Sequence, residues 1–357
     1  MLRKNDDIKI ENFPLSAVEP SEWSELLERA RSISPFCSYR WLKLIEEAFP
    51  HWRVGVVLAL DNSGVIQGGL PYVSSRRLLF HQSHCLPWGT PAGVLVGEDR
   101  DPGLAGRLVK YWAGRIAGSW HPYRMALTLP GAMAAGEARR LLRACRVQRQ
   151  RSLAVPLAGR SFGQWEDSLE AAVRNQNRQA VRRGAVFEQV KSPDEAGELL
   201  RLAGLTALRH GRAGPLLSER FYRLVLDPEG PLAGEPNLAR VFMVRVNGEP
   251  AAFSVCLAHC KKLWLWDYGT DSALFHARPN NLMYRQVIAY AFGGGYEEVD
   301  LGAVPARADT LGDFKLGFGG VEYERTSLVE ASSVFRIAAG LYSLMGRPGG
   351  SRGRGDR

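Results

Sequence analysis

The sequence predicts an α/β (α+β) protein built from two similar domains in tandem, each a mixed, mostly antiparallel sheet flanked by helices. Three observations carry this. The chain of 357 residues is long enough for about two domains. Its 45% hydrophobic and 23% charged residues are the mix of a globular protein with a real core, far from the composition of disorder. The order hairpin, strand, helix, strand occurs twice along it.

The first copy opens at Trp52 with WRVGVVLALD, turns at Asn62-Ser63-Gly64 and continues as VIQGGLPYVSS, a strand, a tight turn and a second strand. An amphipathic helix follows over 103–117 and a strand over Tyr123 to Leu129. The second copy opens at Ala239 with ARVFMVRV, turns at Asn247-Gly248 and runs on through PAAFSVCLAHCKKLWLWDYGT, with a helix over 281–292 and a strand over Glu298 to Leu301. Hairpins that feed a sheet with a helical crossover give a mixed sheet with helices on its faces. The intervening stretch, 161–222, reads as helical. Arg174, Arg178 and Arg182 share one face of a helix that stops at Gly184, and Glu195 to Leu208 and Glu219 to Leu226 continue the pattern around the break from Gly211 to Pro215. Beyond Leu328, VFRIAAGLYSLMG reads as a short amphipathic helix and Arg347 onward as a disordered Gly/Arg tail. The expected division is therefore 1–160, 161–330 and a terminal piece, 331–357.

Charge and cysteine narrow the function classes. Net charge is +9, but 139–151, 174–183 and 347–357 together hold +13, so the remainder is slightly acidic. Local basic patches suit phosphate-bearing partners such as a nucleotide-linked substrate, a tRNA or an anionic membrane face; solvated arginine faces are the plain alternative. No apolar run nears the roughly 18 to 20 residues of a membrane span, and the N-terminus carries no apolar run behind Arg3 and Lys4. Five scattered cysteines without a CxxC read as reduced, mostly buried thiols. A cytoplasmic protein is expected, lying at the inner face of the membrane if the terminal helix and basic tail dock there. His81 and His84 sit three apart beside Cys85 in a strand and loop, a spacing better suited to packing than to a metal. No HExxH, GxSxG or Cys/His pattern is present, so hydrolysis has no nucleophile motif and no metal site is expected.

At Asp300 to Gly319 the sequence resembles a known family. Val299-Asp300-Leu301-Gly302, followed by Leu311-Gly312-Asp313-Phe314-Lys315-Leu316-Gly317-Phe318-Gly319, is similar to the closing signature of the FemAB-like and BioF2-like (CelD-type) acyltransferases of the GNAT superfamily. Pro35 to Trp41 resembles the family's F-x-S-x-x-W helix start, Leu86 to Pro91 its LP-aromatic-G-x-P turn, Arg174 to Gly184 its Arg-rich helix, and Trp264 to Thr270 with Pro279 to Ala291 its aromatic strand and P-x-x-L helix. The ordered set spans residues 30–325. It implies a tandem GNAT fold and transfer of an acyl or aminoacyl group to an amine, with no tightly bound cofactor and either an acyl-CoA or an aminoacyl-tRNA as donor.

The resemblance places Lys315 at the acyl-transfer cleft, where its ammonium would hold a donor phosphate or the developing oxyanion. Asp313 would pair with a cation or cap the short helix. Strict alternation along Trp264-Leu265-Trp266-Asp267-Tyr268 puts Trp264, Trp266 and Tyr268 on one face, lining either the core or a substrate groove, with Leu265 and Asp267 on the other. Tyr268, at the strand end, is the second catalytic candidate. Thr206-Ala207-Leu208-Arg209 resembles the family's T-x-x-R helix end, before the aromatic pair Phe221-Tyr222; Arg209 would bind phosphate or make a surface contact. The pyrophosphate motif of CoA-dependent GNATs has no counterpart in His276 to Leu282, which lacks glycine. A loose match, Arg100, Gly103 and Ala105, falls at a helix start in the first half, with Pro102 removing one backbone donor.

The function expected is N-acyl transfer to a cell-envelope, exopolysaccharide or small-metabolite amine, lipid-linked or nucleotide-linked acceptors included. The rival is a catalytically silent membrane-peripheral scaffold that binds through 334–357.

Overall fold

The computed structural model describes residues 8–30, 34–77, 80–91, 93–97, 103–118, 122–129, 140, 142, 145–234, 237–305 and 309–345. Arg100 and the tail 346–357 lie outside them. One mixed sheet organises the chain. In the first half it takes β1 (Lys9–Pro14), β2 (Trp52–Leu60), β3 (Ile66–Arg77), β4 (Phe80–His84), the short β5 (Leu95–Val96), β6 (Tyr123–Leu129) and β7 (Arg146–Pro156). In the second it takes β8 (Ala185–Val190), β9 (Ala239–Val246), β10 (Glu249–His259), β11 (Lys262–Thr270), β12 (Glu298–Ala303) and β13 (Val321–Ala331). The order across the sheet is β1-β2-β3-β4-β6-β13-β7-β12-β11-β10-β9-β8, with β5 on β3. Neighbours are antiparallel except β4 with β6 and β11 with β12. The two halves thus repeat one plan, four antiparallel strands and then a parallel neighbour. They are stitched by exchange at the centre, where β7 lies beside β12 of the second half and β13 beside β6 of the first.

The helices are α1 (Pro20–Arg29), α2 (Tyr39–Ala48), α3 (Leu104–Tyr111) running on as a π turn over Trp112–Ala117, α4 (Phe162–Ser168), α5 (Ala171–Arg182), α6 (Ala196–Arg209), α7 (Glu219–Leu226), α8 (Pro279–Gly293), α9 (Asp309–Gly317) and α10 (Ser333–Met345). Local chemistry sets their ends. Ser38 accepts from the Trp41 amide to cap α2, Ser161 and Gln164 form a capping box on α4, and Ser218 caps α7. Among the described residues no helix is long and apolar enough to cross a membrane.

The stretch 161–222 is not wholly helical as expected. Once Gly184 adopts φ 77° and ends α5, the chain turns into β8, an edge strand paired only with β9. Its solvent-facing pattern lacks clean alternation, and Glu188 is fixed from outside by Arg245. The basic patch over 139–151 is also partly neutralised, because β7 pairs with β13 and sets Arg149 diagonally across from Glu324 (3.6 Å) and Arg151 diagonally across from Glu322 (3.3 Å).

Two hydrophobic cores pack on the sheet. One runs through both halves and includes Trp23, Trp41, Phe221 and Trp264; the other lies in the second half and on the adjoining β7, and includes Leu153, Trp165, Phe242, Val287 and Phe318. Where the halves meet, Trp41 of α2 packs edge-on to Trp266 of β11 (4.8 Å between ring centres) and also contacts Phe221 of α7 (6.1 Å). Trp266 is therefore a packing residue of the junction between the halves.

Candidate active site

The site begins with a fork between two parallel strands. β11 and β12 pair only over Lys262–Trp264 and Glu298–Asp300, although β11 continues to Thr270. Bulges on both strands part them. Trp266 is the extra residue against Val255 and Cys256 of β10, and Leu301 the extra residue against Ala154 and Leu153 of β7.

The bulge at Trp266 overturns the strict alternation expected along β11. Asp267 registers with Val255 and Tyr268 with Ser254, so Asp267 moves to the Trp264 face and Tyr268 to the opposite one. Asp267 accepts from the Tyr222 hydroxyl (2.7 Å), and burial raises its carboxyl to about 6 against the opposing effect of that hydrogen bond. Tyr222, 1% exposed, is thereby held in the core of α7 and β11. Tyr268 is 45% exposed; burial of its hydroxyl raises its pKa, and Arg209 and Asp267 are next in effect. Arg209 is exposed at the end of α6, its guanidinium over the ring of Phe275 (4.9 Å).

Beyond the fork the first turn of α8, the start of α5 and the exposed side of α9 enclose a cleft of about 880 Å³, lined among others by Gln176, Arg278, Asn281, Asp313 and Phe314. Arg278 takes a left-handed conformation (φ 57°) immediately before Pro279, and so places the first turn of α8 at the cleft. Asn281 donates to Gln176 (2.9 Å), tying α8 to α5. Asp313 is exposed in this wall. Tyr284, Phe314 and Phe318 form an aromatic set at its base, 5.0 to 5.4 Å apart.

Lys315 does not line the cleft; its neighbours Phe314 and Leu316 do. It is 4% exposed, and its ammonium donates to the carbonyls of Gly302 (3.3 Å) and Ala303 (3.0 Å), just past the bulge of β12. Burial lowers its pKa to about 8, with Asp300 opposing and Arg325 reinforcing the shift. Gly302, at φ 78°, gives its amide to Asp300 (2.8 Å), which is why the D-x-G spacing matters: the carboxylate locks the bulge that presents two carbonyls to the lysine.

Asp300 anchors a buried charged network that long sequence separation conceals. Arg325 reaches both its carboxylate oxygens (3.0 and 2.9 Å), the Tyr323 hydroxyl donates to it, and Lys262 lies 3.4 Å away. Among residues missed in the sequence, Lys262, Tyr323 and Arg325 carry no local motif, whereas Arg278 could have been noticed as the residue preceding the Pro of a helix start.

The remaining candidates lie elsewhere. Gly103 caps α3 and is exposed, and Ala105 is half-buried in its first turn, in the half of the sheet where β4 and β6 stay paired along β4. His81 and His84 lie on β4, and among the described residues no three His, Cys, Asp or Glu side chains cluster as a metal site. Of the arginine stripe on α5, Arg174 donates to the carbonyls of Asp167 (2.8 Å) and Leu169, closing the end of α4, while Arg178 and Arg182 are exposed.

A doubled sheet with one forked parallel pair and a cleft at the following helix start defines a tandem GNAT fold. Residues 168–316 match the family model described as Acetyltransferase (GNAT) domain. Solved structures of the same fold include FemX (TM-score 0.61, 13% identity, 94% of this chain and 99% of that one). A tandem GNAT protein from the clavulanic acid biosynthesis pathway gives a TM-score of 0.60 at 13% identity over 90% and 98% of the two chains. The C-terminal domain of a putative lysylphosphatidylglycerol synthetase from Agrobacterium fabrum gives 0.55 at 16% over 90% and 97%. No curated protein matches the chain. Residues 168–316 thus match a GNAT acetyltransferase domain, and the chain as a whole shares the fold of FemX and of a tandem GNAT protein.

Proposed function

We propose that the protein is an N-acyltransferase that moves an acyl group from a CoA thioester to the amine of a cell-envelope, exopolysaccharide or small-metabolite acceptor. The observation that carries this reading is the fork between β11 and β12, which opens beside the cleft at the start of α8. The positive end of a 15-residue helix, with Arg278 beside it, favours the donor's phosphates. The extended arm of the donor then enters the fork, bringing its thioester carbonyl toward the Gly302–Ala303 bulge. For this reason we place the donor in the second half rather than at Gly103 and Ala105.

In the proposed mechanism the acceptor nitrogen attacks the thioester carbonyl, a C–N bond forms and the C–S bond breaks. Positive charge at Lys315 stabilises the transient oxyanion, acting just behind the two carbonyls it holds. Tyr268, exposed at the strand end and protonated at neutral pH, gives its proton to the departing thiolate, and the ammonium proton of the tetrahedral adduct leaves through water. Asp313, in the cleft wall, and Arg209, stacked on the cleft residue Phe275, are assigned to the acceptor. The aminoacyl-tRNA donor gains nothing from these observations.

The test is hydrogen exchange with a panel of acyl-CoAs, paired with an amine-acylation assay. Protection of β11 amides beyond Trp264 and of the first turn of α8 is expected. Protection confined to α3, or none with any acyl-CoA, rejects the assignment.

A further inference from the structure

Helix α10 leaves the sheet with an apolar side turned outward. The Ser332 amide donates to the Tyr123 carbonyl (3.0 Å) and Phe335 packs edge-on against Phe80 of β4 (5.6 Å between ring centres), so Phe335 and the half-buried Ala338 make the inner side of the helix. Val334 and Ile337, one turn apart, stay 49% and 64% exposed. A helix lying on a water-facing surface turns charged residues outward. Over Ser333–Met345 the single charged residue is Arg336.

The surface beside this helix is basic. β2, β4, β6 and β7 begin, and β3 and β13 end, at one end of the sheet, as the registers Trp52–Ser75, Arg77–Phe80, His81–Tyr123, Arg124–Ala331 and Arg146–Val329 require. Arg53 is the second residue of β2 and Arg146 the first of β7, and the π turn after α3 brings Arg115 into one wall with Arg53. All three are exposed, as is Arg336. Among the described residues of these strand ends the one carboxylate is Glu330, which accepts from the Tyr123 hydroxyl (2.9 Å). The sequence beyond α10 adds four arginines against Asp356. Attraction to a charged layer depends on this net charge and not on vacant donors, so the hydrogen bonds of individual arginines leave it in place.

We infer that α10 and the basic strand ends beside it form a docking face for an anionic bilayer surface, with Val334 and Ile337 entering the interfacial layer and the arginines lying at the headgroups. A second copy of the chain fits this face worse, because a two-fold contact sets the same arginines against one another. The inference stands apart from acyl transfer and requires no donor.

The experiment uses the full chain, in co-sedimentation with vesicles of phosphatidylcholine alone and of phosphatidylcholine with phosphatidylglycerol, and in sedimentation velocity without lipid. Val334→Ser/Ile337→Ser changes exposed side chains and should keep the wild-type melting temperature; Arg53→Gln/Arg146→Gln tests the basic rim independently, and Arg178→Gln/Arg182→Gln on α5 controls for general basicity. Wild type and the α5 variant are expected to bind the phosphatidylglycerol vesicles alike and to lose binding as salt rises. The apolar and rim variants are each expected to bind about tenfold or more weakly. The inference is overturned if wild type shows no preference for phosphatidylglycerol, or if either the apolar or the rim variant binds as tightly as the α5 variant does. It is also overturned if wild type ignores both vesicles and sediments as a dimer that Val334→Ser/Ile337→Ser dissociates, which gives the face to a second copy.

Discussion

Removing the charge of Asp300 should both destabilise the protein and disturb its site, and a double-mutant cycle can measure the first effect cleanly. The carboxylate is 1% exposed and receives the Gly302 amide, both contacts from Arg325 and the Tyr323 hydroxyl, with Lys262 3.4 Å away. Asp300→Asn keeps the shape but leaves Arg325, whose side chain is 7% exposed, facing an uncharged amide. Losing one partner of a buried ion pair costs about 3–5 kcal/mol, because the survivor's desolvation is no longer offset. Lys262 is also left without this carboxylate but keeps Glu298, so about 3 kcal/mol is expected. Arg325→Met should cost a similar amount, and the double variant should fall short of the sum of the singles by about 2 kcal/mol. Urea unfolding at neutral pH reads all four corners of the cycle. Singles within about 1 kcal/mol of wild type, or strict additivity, would refute the coupling.

Three further outcomes follow from the same geometry. Lys315 is charged more readily when unfolded, so wild type should gain stability relative to Lys315→Met as pH rises from about 8 toward 10.5; the full shift is worth about 3 kcal/mol, and a flat difference in urea unfolding across that range refutes the burial argument. Arg278→Gly relieves a left-handed backbone (φ 57°), so the melting temperature should hold or rise while KM for acyl-CoA increases about tenfold; an unchanged KM removes Arg278 from donor binding. Gly269→Ala would set a Cβ 2.6 Å from backbone atoms of Leu202 and Ala203, which cannot yield as a side-chain tip can; a loss of about 3 kcal/mol is expected in urea unfolding, and a loss under about 1 kcal/mol would show that α6 shifts freely on the sheet.

The parts legible in the sequence are those with local causes. Asn247 and Gly248, both at positive φ, dictate a tight hairpin turn that can be read from two residues, and the first copy's Asn/Gly turn follows the same logic. The helix after β11 was legible from its proline start and apolar spacing. Features fixed by distant pairing were not. β7 reads as an arginine-rich patch because its acidic partners, Glu322 and Glu324, lie some way along the chain, and β8 reads as helix because its one partner strand is likewise remote. The face exchange of Asp267 and Tyr268 depends on a bulge set by the register against β10, which alternation along one strand cannot reveal. Lys315 was reached through its motif, but its burial against the Gly302 and Ala303 carbonyls comes from the bulge of β12.

The two copies share a plan and differ at one place that decides their use. In the first, β4 pairs with β6 from His81 to His84, and the ladder continues through the Cys85 amide, so the parallel pair stays closed. In the second, bulges at Trp266 and Leu301 end the ladder after three pairs and open the fork. Trp266 is held there by rings from the other half, Trp41 at 4.8 Å and Phe36 at 6.2 Å, so the closed copy packs against the residue that opens its neighbour. β13, which carries the Arg325 partner of Asp300, is in turn paired with β6 of the first half. The forked copy is therefore not a self-sufficient domain. Its bulge on β11 is packed, and its bulge on β12 is charge-locked, by elements that depend on the first half.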